Sequence, residues 1–150
     1  MKKLTISLLI ICLITILVSS ISMVTPDQFF TSTIFTVSGI MFSIGFGLIV
    51  SFNLNGVKNK NYIKELRENI NFVRNNFMTY FLLATTCYIL DQYFNSVSFT
   101  IIDKLNIKIT FCLSIFFCLF ILYSVCYFIT NFIEIQKLNN DIFDKINTEK

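Results

Sequence analysis

The 150-residue sequence predicts an all-α integral membrane protein: a four-transmembrane-helix bundle, in one membrane domain, with amphipathic cytoplasmic helical extensions. Three observations predict it. Hydrophobic residues make up 55% of the chain and charged ones 14%, against roughly a quarter charged in a soluble domain. Charge is also excluded from long runs, since residues 4–24, 28–57 and 109–133 hold no Asp, Glu, Lys or Arg. Each run exceeds or matches the ~20 helical residues that cross a bilayer core about 30 Å thick. Finally, the basic residues sit almost entirely in alternate loops.

The first span covers residues 4–24 and follows "MKK". A signal peptide has the same opening, but this apolar run is longer than an h-region and "SSISMV" lacks small residues suited to cleavage. Ile11 before Cys12 excludes a lipoprotein signal. The first helix is therefore expected to be retained. "TPDQ" then turns the chain, with Thr25 expected to cap the second helix, Pro26 at its first position and Gln28 reaching back to the cap. So short a link predicts that helices one and two are antiparallel neighbours.

The second span covers residues 28–54 and is expected to stop at Asn55 and Gly56. Four glycines and one alanine serve the whole chain, and three of the glycines, Gly39, Gly45 and Gly47, lie in this span. In a composition rich in Phe, Ile, Asn and Lys, as an AT-rich genome imposes, such glycines carry weight. At 100° per residue Thr33, Thr36, Gly39, Ser43, Gly47 and Ser51 share an arc of about 120°. Helices in lipid associate through close backbone approach rather than hydrophobic drive, and small residues four apart permit it. The second span is therefore expected to be the central packing helix. Its stripe either seals against another helix of the chain or lines a narrow pore at an oligomer axis.

Residues 58–76 form the first extension. Its apolar positions Ile63, Leu66, Ile70, Val73 and Phe77 are spaced 3, 4, 3, 4, opposite Lys64, Glu65, Arg67, Glu68 and Asn71. That is an amphipathic helix running into the third span, residues 77–99. The fourth span, residues 109–133, leads into a tail, 134–150, with Ile135, Leu138, Ile142 and Ile146 on one side. The two extensions are expected to zip into a cytoplasmic stalk; the alternative is that each lies flat on the headgroups. With the N-terminus inside, ten Lys and Arg fall in cytoplasmic segments and two, Lys104 and Lys108, in outer loops. This positive-inside bias predicts a multi-pass protein of the bacterial inner membrane with both termini cytoplasmic.

Chemistry is sparsely encoded. The chain has no histidine, which removes Ser-His and Cys-His nucleophile pairs and the usual proton shuttle. No P-loop or GxSxG occurs, and the five cysteines show no CxxC, so neither cofactor, metal site nor disulfide framework is indicated. The basic residues form no nucleic-acid footprint. An enzyme is not expected. Asp91 is the lone acid in a predicted span; it is either wetted where the span ends or an ion-attracting residue at the mouth of a pathway.

The run "GIMFSIGFGLIVSFNLNGVKNKNYIKELRENINFVRNNF", residues 39–77, resembles small multispanning proteins of bacterial phage-defence loci, namely the membrane subunit of Kiwa systems and the membrane accessory of type VI-B CRISPR loci. That resemblance implies a non-enzymatic, oligomeric inner-membrane sensor or membrane-perturbing effector with a soluble partner. The partner would dock on the cytoplasmic extensions, at Ile63, Leu66, Arg67, Ile70, Leu138 and Ile142. A small channel or transporter, and a toxin-immunity or exclusion protein, are the alternatives.

Overall fold

The computed structural model describes residues 2–21, 25–52, 60–104 and 107–148. Four helices, α1 (Lys2–Ile21), α2 (Gln28–Val50), α3 (Lys60–Phe94) and α4 (Leu113–Thr148), are joined by one hairpin, β1 (Ser98–Lys104) and β2 (Ile107–Cys112), between α3 and α4. The described residues are thus helical but for this one hairpin, in line with the expected helical class, although the hairpin itself was not expected. α2 and the stretch Leu113–Asp144 of α4 are long and apolar enough to cross a membrane, while Thr5–Ile21 forms a shorter apolar helix.

The hairpin takes residues expected to end the third span and begin the fourth. "SFTII" and "IKITFC" are rich in β-branched and aromatic residues, which favour extended backbone. The strands pair antiparallel from Ser98↔Cys112 to Lys104↔Ile107, with a register shift between Thr100 and Ile102. The hairpin is tied into the bundle. Thr110 donates its hydroxyl to the Ser19 carbonyl at 2.8 Å and its backbone N–H to Ser20 Oγ at 3.3 Å. The Leu113 amide, opening α4, donates to the Val97 carbonyl at 3.2 Å.

α4 is the hub, packing against α1, α2 and α3, with α2 its most extensive partner. This corrects the expectation that the second helix is central. α1 packs on β2 and α4, so the first two helices are not the packed neighbours that their short link suggested. The start of α2 also differs from expectation. Asp27 occupies the N-cap in extended conformation without a side-chain cap bond, and Gln28 instead bonds Gln92 of α3. The expected stop at Asn55 and Gly56 lies outside the described residues; α2 closes at Ser51, whose amide donates to the Gly47 carbonyl.

The core is aromatic. Phe77, Phe120, Phe128 and Ile121 are fully buried or nearly so, and Phe42 stacks on Phe81 with centroids 4.1 Å apart. α3 and α4, at 35 and 36 residues, are each about 50 Å long and run past the end of α2. The extensions are therefore continuous with the helices of the bundle. Ile135 belongs to the core cluster, with Ile70 and Val73 packed against it, and Leu66 and Ile142 are buried further out. The outward sides of the helices are apolar in the open: Leu9, Leu13 and Leu17 are 62–63% exposed, and Phe29 is 76% exposed.

Candidate functional site

The glycine that decides how α2 sits is Gly45. A Cβ there would overlap the ring of Phe77, whose Cζ lies 3.0 Å from the built position. Phe77 is completely buried and tilts against Phe128 at 5.0 Å. Helix α2 approaches α3 at this level because Gly45 has no side chain. Sequence reasoning put weight on Gly39 and Gly47 instead, since these fall in the four-residue spacing. The spacing carried no sign of Phe77, 32 positions away.

Gly39 and Gly47 face the other way. Nothing lies within 4 Å of a Cβ built on either, and Thr36, Ser43, Gly47 and Ser51 are exposed, with Gly39 half-exposed. The expected seal between this stripe and another helix of the same chain is therefore absent: the inward face of α2 is Thr31, Ile34, Ser38, Gly45 and Ile49. The stripe's hydroxyls are already used. Thr33 donates to the Phe29 carbonyl, Thr36 to Ser32, Ser43 to Gly39 and Ser51 to Leu48, at 2.8–3.1 Å. Such back-bonding leaves a smooth surface with no free donor. Ile40, 54% exposed, projects from the same arc. One knob and one shallow groove thus share a single outward face.

Asp91 is 3% exposed, so it neither lies wetted at the end of a span nor opens on a mouth. Its Oδ1 has no hydrogen-bond partner, and neither does Ser38 Oγ or Ser114 Oγ. The local polarity around "DQYFNSVS" did not foretell this burial. Deeper in the bundle Phe35, Phe42, Phe77, Phe81 and Phe128 stack or tilt on one another.

A second polar group joins α1, α3 and α4. The Ser7 hydroxyl pairs with Tyr123 at 2.6 Å, and Tyr80 tilts against Tyr123 and Tyr127 with centroids 5.8 and 4.2 Å apart. Beside it a cleft of about 170 Å³ runs between α1 and α4, lined by Ser7, Ile10, Ile11, Ile14, Leu119 and Tyr123. Apart from the hydroxyl pair its walls are aliphatic. Sequence reasoning gave none of these residues a part in a site.

The expected docking residues are largely used within the chain. Leu66 and Ile142 are buried, Ile63, Ile70 and Leu138 half-buried, and Arg67 alone is exposed. Among the described residues the extensions present Phe72 and Phe143, 63% and 68% exposed. Among the described residues no three His, Cys, Asp or Glu side chains converge as metal ligands, and the five cysteines are free. No protein-family model, curated protein or solved structure matches the chain.

Proposed function

We propose that this is a non-enzymatic four-span protein of the bacterial inner membrane, with both termini cytoplasmic, that self-assembles through the outward stripe of α2. The observation that carries this is the pairing of Ile40 with the groove at Gly39, Ser43 and Gly47 on one uncovered face. A two-fold contact must be self-complementary, and a face bearing both a knob and a groove meets that condition. Small residues allow the close approach that lipid requires. Because the stripe's hydroxyl donors are bonded to their own helix, a packed contact is favoured over a water-lined pore. The open apolar sides of α1 and α2 support the membrane setting, since large exposed apolar surfaces in a folded protein mark contact with lipid or protein.

The assembled protein acts as a sensor or membrane-perturbing effector in anti-phage defence. This part of the proposal follows the likeness of residues 39–77 to membrane proteins of defence loci. A soluble cytoplasmic partner would meet the extensions at Phe72, Phe143 and Arg67, the side chains left uncovered when the two stripes close.

Light scattering of the detergent-purified chain, beside a membrane-potential dye in overproducing cells, tests the reading. Wild type is expected to be oligomeric and to depolarise cells. Gly47→Leu is expected to be monomeric, folded and silent, because nothing in the monomer meets a side chain there. A wild-type monomer, or an oligomer indifferent to this substitution, would overturn the assembly.

A further inference from the structure

The end of the bundle beside the hairpin holds four buried polar side chains from three helices: Thr31 and Ser114 at 0% exposure, Asp91 at 3% and Cys118 at 4%. Contacts of neighbouring residues bring these three helix stretches together at one level. Gln28 of α2 bonds Gln92 of α3. Phe35, one turn along from Thr31, stacks at 4.3 Å on Tyr88, one turn back from Asp91. The start of α4 meets the end of α3 at the same level, where the Leu113 amide, next to Ser114, donates to the carbonyl of Val97, six residues beyond Asp91; Cys118 lies one helical turn after Ser114 on the same side of α4.

Two of these groups have unmet bonding capacity. Neither Asp91 Oδ1 nor Ser114 Oγ has a protein partner, and the Thr31 hydroxyl reaches only the Asp27 carbonyl, at a long 3.4 Å. Among the described residues no ion pair involves Asp91. A carboxylate taken out of water without a counter-charge is strongly disfavoured. A cation is the occupant that would also use the free oxygen of Ser114 beside the carboxylate, and the chemistry there limits which one. The carboxylate and hydroxyl donors are hard oxygens, which suit hard cations. One negative charge is cancelled by one positive charge, whereas a divalent ion would leave an excess in the same low-dielectric setting.

We propose that Asp91, Ser114 and Thr31 form a binding site for a single monovalent cation of the Na⁺ class, at the junction of α2, α3 and α4. Binding there fastens the start of α2 to the other two helices. The site uses the inward face of α2 and does not depend on the outward stripe, so it stands or falls separately from self-assembly.

The test is thermal unfolding of the full-length chain in detergent, with Na⁺ replacing choline at constant ionic strength. The wild type is expected to show a saturable rise in Tm of several degrees, as for any ligand bound only by the folded state. Asp91→Asn is expected to lose that rise and, in choline, to melt at or above the wild type, since the unpaired charge is gone. Ser114→Ala is expected to fold normally and to move the half-saturating Na⁺ concentration up by about tenfold, the equivalent of one lost ligand. Should Asp91→Asn fail to fold, Ser114→Ala and Thr31→Val decide the matter by that same displacement. A Tm that does not distinguish Na⁺ from choline would overturn the site. So would a Na⁺ response unchanged in all the variants, or stabilisation by acidification in choline with no Na⁺ dependence, which would make the occupant a proton.

Discussion

Gly45 and Gly39 sit six residues apart on one helix, yet substituting them should have opposite consequences. A methyl at Gly45 collides with Phe77, which is fully buried and wedged against Phe128. Overpacking of this kind costs about 1–3 kcal/mol, so Gly45→Ala is expected to lower the unfolding midpoint in detergent. Gly39 has open space around it, and alanine is the better helix former by about 1 kcal/mol. Gly39→Ala should therefore leave the monomer's midpoint unchanged or raise it. Equal losses at both positions would show that α2 is seated differently. This contrast could not be read in the sequence, where the two glycines differ only in register. The spacing rule finds the positions that share a face, and the identity of the face depends on Phe77, which belongs to another helix.

At the scale of elements, the extensions were the most legible feature and the hairpin the least. The 3, 4, 3, 4 spacing of Ile63, Leu66, Ile70, Val73 and Phe77 marks one side of a helix, and the structure buries Leu66 together with Ile135 and Ile142. Leu66→Ala is expected to cost about 2–5 kcal/mol, as for other core truncations, while Phe72→Ala, at an exposed site, should leave stability nearly unchanged. Protease resistance of the extensions measures both. The Lys64–Glu68 pair, 4.0 Å apart and well exposed, adds little to that stability. The hairpin was hidden because a β-branched apolar stretch such as 98–102 reads equally as the end of a membrane helix, and only its pairing with 107–112 settles the backbone. Its anchor is Thr110. Thr110→Val removes the bond to the Ser19 carbonyl and leaves the amide bond to Ser20 intact. Faster hydrogen exchange in the last turns of α1, with α2 unaffected, is the expected result.

For the whole molecule, composition and charge-free runs were enough to expect helices and a lipid environment, and α2 and α4 have the length and apolarity to cross a bilayer. They did not reveal which helix is central. α4 takes that place because its buried residues run around the helix, from Ser114 and Ile115 through Phe120 and Ile121 to Phe128, whereas α2 is buried along one side. A helix with one uncovered side of small residues is placed for a neighbour outside its own chain. The most direct measurement is a cysteine cross-linking scan along α2, in native membranes, using a chain whose five cysteines are replaced by serine or alanine. Cysteines at Thr36, Gly39, Ser43 and Gly47 are expected to join two copies with helical periodicity, while those at inward Ile34 and Ile49 do not. Cross-links that show no periodicity, or that peak away from this arc, would contradict the account.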